Sequence, residues 1–245
     1  MNKLIKFEFR KIFQQKSFYI CMGVAVLLTL LNVVLMKNIA SASEEIAFST
    51  MSMTSKAISG SNFIMVMGIF IALYACDDYS NNTMKNIVSK GYKKEHIFLS
   101  KYIVSLVVSL VSALVMILLT YVLTISANTG TETFKDILPI LIGQLFILIA
   151  YHALYFSAGM IIGKVGRSVA FNLVGPTLVV TVLTLITAIL KIESLSISDY
   201  WIDSAFSNLV IGVSNDVIVK AIVMGIVYSI IFVVAGVLIN KKKEA

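Results

Sequence analysis

The chain has 245 residues, 58% of them hydrophobic and 13% charged, with a formal net charge of +7. A mean hydropathy of +0.93 lies far outside the soluble globular range, and the long unbroken Leu, Ile and Val runs exclude the alternating ten-residue segments of a membrane β-barrel. What remains is an all-α integral membrane protein, because a helix satisfies its backbone hydrogen bonds internally in lipid.

Residues 1–17 read as an amphipathic helix in the membrane interface, with Ile5, Phe9, Ile12 and Phe13 on one face and Lys3, Lys6, Arg10 and Gln14 on the other. Six spans follow at 18–36, 57–76, 102–125, 138–162, 169–190 and 217–239, each near the 20 or so residues that cross hydrocarbon. The second begins weakly, its start diluted by Ser59, Gly60, Ser61 and Asn62. The first, with Ala40 and Ala42 behind it, resembles a signal peptide, but its apolar run exceeds the usual length, so we expect a retained helix. The connections at 37–56 and 128–137 are too short for a folded unit. That at 191–216 sets Tyr200, Trp201, Phe206 and Ile211 among Asp199, Asp203 and Asp216, a pattern for short amphipathic helices lying at or dipping into the outer interface. The chain reads as one transmembrane domain.

Of twenty Lys and Arg residues, fifteen fall on the side that holds both termini; Lys37, Lys56, Lys135, Lys191 and Lys220 fall on the other. The positive-inside rule places both termini in the cytoplasm. The basic balance thus reflects topology, and we expect no nucleic-acid partner. Cys21 and Cys76 sit toward cytoplasmic helix ends and read as small core residues rather than a disulfide.

No HExxH, GxSxG, Walker loop or metal-ligand cluster is present, so we assign no catalytic, cofactor or metal site. The spans hold no deep Asp, Glu, Lys or Arg, which argues against ion-coupled transport. His152 is the one titratable group deep in a span; with Gln144, Tyr151 and Tyr155 it forms a candidate polar site in span four, open between a proton relay and a neutral packing histidine. Two hydroxyl stripes, Ser105, Ser109, Ser112 and Thr177, Thr181, Thr184, have helix-packing spacing, and the second is a candidate dimer or pathway face. Gly159 and Gly163 form a GxxxG pair, and Gly175 with Pro176 should kink span five.

The segment 77–101, DDYSNNTMKNIVSKGYKKEHIFLSK, interrupts this apolar chain. Asn82 or Thr83 can cap a short helix and Gly91 can end it in the left-handed conformation. Met84, Ile87 and Val88 then share an exposed face edged by Lys85 and Lys90, which suits either a docking knob or a helix lying on the inner leaflet.

This run resembles the coupling loop of ABC transporter permeases of the type-2 exporter (ABC-2) class. The resemblance rests on Asp77 or Asp78, Asn82 and Thr83, Ile87 and Val88, Gly91, Lys93 or Lys94, Phe98 and Lys101, and extends to the six-span architecture of the whole chain. It departs at Asn82, where Gly is frequent, and in Lys where Arg is common. It implies the bacterial cytoplasmic membrane, a separate ABC-type ATPase that holds ATP and Mg, and a second permease copy or sister subunit. Met84, Ile87 and Val88 would fill a groove on the ATPase, with Lys85, Lys90 and Lys93 supplying complementary charge. The cargo implied is an amphipathic, antimicrobial or toxic peptide, exported in self-protection. Eight outer acids, Glu44, Glu45, Glu132, Asp136, Glu193, Asp199, Asp203 and Asp216, against five lysines favour cationic cargo slightly. Two other readings stay open: a sensor, immunity or scaffold protein that recruits a cytoplasmic partner without transporting, and a membrane enzyme built on His152.

Overall fold

A single extended residue, Gln15, turns the chain from the amphipathic helix α1 (Asn2–Gln14) into the first long helix, α2 (Lys16–Ala42). The computed structural model describes residues 1–42, 48–59, 61–127, 131, 133–190, 197–210 and 212–242. The expectations placed on Glu44, Glu45, Glu132, Lys191, Glu193, Ile211 and Lys243 lie outside the described residues. Among the described residues there is no strand, and six segments are long and apolar enough to cross a membrane.

These segments exceed the apolar runs read from sequence. The second comprises α3 (Thr50–Ser59) and α4 (Ser61–Ser80), so it starts well before residue 57 and carries Asp77 and Asp78 in its last turns instead of in a loop. A seven-residue helix α5 (Thr83–Ser89) follows, and α6 (Lys94–Thr124) starts two turns before residue 102. Thirty-one residues at 1.5 Å each make α6 roughly 46 Å long against about 30 Å of hydrocarbon. The excess lets both α4 and α6 carry charged residues past the apolar layer while remaining helical. The remaining spans are α7 (Phe134–Ile162), α8 (Val165–Leu190) and α10 (Asn215–Lys242).

Helices α4, α6 and α7 form the centre of the bundle: 61% of the apolar window of α7 is buried against 17% in each of α2, α8 and α10, whose outer faces are left for lipid or another chain. Glycine lets α10 reach α7. A Cβ on Gly225 would stand 2.6 Å from the Phe146 carbonyl, and one on Gly236 2.5 Å from Ser157 Oγ, so any side chain there would separate the helices. The GxxxG pair does not act as one packing face. Gly159 abuts Ala75 of α4, where an added Cβ would come within 2.7 Å of its methyl group, whereas Gly163 takes φ 66° and ends α7.

One element sits differently from expectation. The buried line of α1 is Leu4, Glu8 and Ile12, with Ile5 and Phe9 flanking it and Phe13 49% exposed, because α1 docks along α6 as well as facing the interface. The short helix α9 (Ile202–Ser207) falls in the expected outer connection: Ile202, Ala205 and Phe206 are buried, and the chain is pegged to α8 by Trp201 Nε1, which donates to the Pro176 carbonyl at 3.1 Å. Helix α8 runs unbroken through Gly175 and Pro176.

Candidate functional site

The end of the bundle that carries α1 and α5, here the basic end, is held by a charge network that joins four helices. Asp78, in the last turns of α4, is 2% exposed. Its Oδ2 lies 2.5 Å from Lys101 Nζ of α6 and its Oδ1 2.6 Å from Lys11 Nζ of α1. Thr83, the first residue of α5, donates its hydroxyl to Oδ1 at 2.8 Å. Asp77 receives Lys11 at 2.6 Å, Gln15 at 3.3 Å and Asn81 at 2.8 Å. Burial alone would lower the pKa of Lys11; Asp78 and Asp77 beside it reverse this and hold the ammonium above its usual range.

Lys101 is fully buried, with Nζ 4.9 Å from the ring centroid of Tyr74, so its charge meets a carboxylate on one side and an aromatic face nearby. Tyr74 in turn donates to Glu8 Oε2 at 2.7 Å, and Glu8 is itself fully buried in the α1 seam. Two charges of each sign balance across Lys11, Lys101, Asp77 and Asp78, the condition under which buried ions are tolerated. At the edge of the network Tyr79 bonds Asn240 at 2.5 Å and Lys241 pairs with Glu95 at 2.7 Å, which ties the end of α10 to α4 and α6. A cavity of about 600 Å³ opens between α1 and α5, with Phe7 and Arg10 on one wall and Ile87 and Lys90 on the other.

A family model described as ABC-2 family transporter protein matches residues 4–184, far more than half of the chain and nearly all of the residues that build this junction. The chain belongs to the ABC-2 transporter family. No curated protein matches it.

In this ABC-2 permease α5 is anchored rather than free. Met84 is 1% exposed and packs into the bundle, so it is not available to a partner; Ile87 and Val88 are half-buried, and Lys85, Lys90 and Gly91 are exposed. The reason is helical geometry: with Thr83 bonded to Asp78, the side of α5 that carries Met84 is drawn inward. Asn82 makes no side-chain cap and takes the left-handed conformation itself, φ 54°, while Gly91 takes φ 85° after the helix and Lys93, exposed, precedes the first turn of α6.

The four candidates in span four do not converge. Tyr151 bonds Asp203 and Gln144 donates to the Leu209 carbonyl at 3.4 Å, both toward the α9 region, whereas His152 points to α6, 3.1 Å from Ser105 Oγ. His152 stacks on Phe156 with Tyr102 edge-on and meets that serine through Nε2, an arrangement that suits a packing histidine. Tyr155 fills the space beside Gly68. Thr177, Thr181 and Thr184 are exposed on α8, the last two donating to the carbonyls of Thr177 and Val180 in their own helix at 2.9 Å. Cys21 and Cys76 are both buried thiols, and Cys76 Sγ donates to the Gly159 carbonyl at 3.3 Å and lies 3.1 Å from Ser168 Oγ.

The junction contains residues that sequence reasoning passed over. Glu8 is the one acid among residues 1–17 and falls four residues from both Leu4 and Ile12, which was the available signal for a buried position. Lys101, read from sequence as the end of the 77–101 segment, precedes Ser105 by one turn on the face that α6 buries.

Proposed function

We propose that this ABC-2 permease, paired with a second copy or a sister chain, forms the transmembrane pathway of an ATP-driven exporter and is driven by a separate ABC-type ATPase that docks on α5. The observation that carries this reading is the junction at the basic end. Through Thr83, Asp78, Lys101 and Lys11 a displacement of α5 acts on α4, α6 and α1 together, which suits an element that must convert a partner's motion into movement of the spans. Lys85, Lys90 and the half-buried Ile87 and Val88 are the face α5 leaves for the partner, and the exposed Thr177, Thr181 and Thr184 of α8 suit a pathway or dimer face.

The basic end belongs in the cytoplasm by the distribution of Lys and Arg. Because both native cysteines are buried, single introduced ones report alone. Lys90→Cys is expected to react with a membrane-impermeant maleimide only after permeabilisation, and Thr131→Cys to react in intact cells; the opposite pattern contradicts the orientation.

For cargo we favour amphipathic, antimicrobial or toxic peptides. The supporting charge is modest: of the described acids at the far end, Asp203 accepts from Tyr151, and Asp136, which also accepts from Thr133, Asp199 and Asp216 are exposed. Proteoliposomes with the permease and its ATPase should move a cationic amphipathic peptide in an ATP-dependent manner. Hydrolysis without movement of any peptide would instead support a sensor or scaffold.

A further inference from the structure

At the end opposite the junction a second cavity, of about 550 Å³, lies between α2, α3, the start of α4, α6 and the α9 region, within the size range of small-molecule sites. Val33, Phe63, Phe206 and Leu209 give it apolar walls. Its hydroxyls are largely committed as donors: Thr29, Ser55, Ser59 and Thr120 each donate to a carbonyl of their own helix at 2.8–3.1 Å.

The donors left over are unlike those of a packing seam. Lys56 and the amides of Asn32 and Asn62 line the cavity, and none of the three has a hydrogen bond or ion pair among the described residues. No carboxylate lines it among those residues either. One ammonium and two amides above an apolar wall, with no acid among the described lining residues, suit a ligand with an anionic group on an apolar body.

The surroundings decide its source. The α2 wall buries only Cys21, Ala25 and Val33, while Leu27, Leu30, Leu31 and Val34 are 41–55% exposed toward the hydrocarbon. An amphiphile already in the bilayer can lay its chains along this helix, whereas a soluble anion gains nothing from it. We propose that the cavity seats the headgroup of an anionic phospholipid, its phosphate on Lys56 with Asn32 and Asn62 as further donors and its acyl chains along α2. This site is independent of the ATPase-coupling reading and is read by lipid binding alone.

The test is native mass spectrometry of the purified full chain with equal phosphatidylglycerol and phosphatidylcholine, counting lipids that survive gentle activation. One tightly held phosphatidylglycerol per chain is expected, weakened about tenfold in Lys56→Gln, as for loss of one charged hydrogen-bond partner, and kept in Lys56→Arg. Lys220→Gln serves as control: it removes a charge at the same end, where Lys220 sits 3.9 Å over the Tyr200 ring, and should leave the count unchanged. An unaltered count in Lys56→Gln, or an equal loss in Lys220→Gln, would overturn the proposal. So would displacement of the lipid by inorganic phosphate at equal concentration, which would make this a free-phosphate site.

Discussion

Lys101→Met is expected to destabilise the permease by about 3–5 kcal/mol, the cost of leaving a buried charge without its partner. Asp78 would keep Lys11 and Thr83 on Oδ1 but lose the contact on Oδ2, inside a site where it is 2% exposed. Replacing both members, Lys101→Met with Asp78→Asn, removes the stranded charge and should recover most of that loss, so the two changes are strongly non-additive. Unfolding of the purified variants in one detergent measures the cycle. A Lys101→Met chain within about 0.5 kcal/mol of the parent, the range of ordinary surface changes, would show that the pair holds nothing together.

Changes on α5 should separate stability from coupling. Met84→Ala removes a nearly fully buried side chain and is expected to cost about 2–5 kcal/mol. Lys85→Glu with Lys90→Glu alters only exposed positions, so unfolding should stay close to the parent while ATPase retention falls about tenfold or more, as charge reversal at a complementary surface predicts. Ile87→Asp, half-buried at the edge of the cavity beside α1, should give the same loss of the partner with a small stability cost. If the double reversal keeps the ATPase and full ATP-driven export, α5 is not the docking face.

The all-α class and the six spans were legible because long apolar runs have one solution in lipid. Their ends were not, because hydropathy stops at the first charge whereas the helices continue through charges that find partners: Asp77 and Asp78 stay in α4 because Lys11 and Lys101 neutralise them. The exposed positions of α5 could be read from sequence, but Met84 was misassigned, since its direction depends on the Thr83–Asp78 bond, a contact between a helix end and the next helix start. Glu8 was missed for a related reason. An acid on an amphipathic helix reads as solvent-facing until α4 and α6 are known to stand behind it, with Tyr74 to bond it. The grouping of Gln144, Tyr151, His152 and Tyr155 failed geometrically, because positions on one helix point to different neighbours and span four touches both α6 and α9.

The most direct test of the coupling account is purification of the tagged chain from its native membrane in mild detergent, with quantification of bound proteins and an ATPase assay on the eluate. The account predicts an ABC-type ATPase in roughly equal amount, hydrolysing ATP, and its loss from correctly inserted Ile87→Asp and Lys85→Glu/Lys90→Glu chains. An eluate without nucleotidase under conditions that preserve other membrane complexes, or an ATPase retained equally by all three chains, would contradict it.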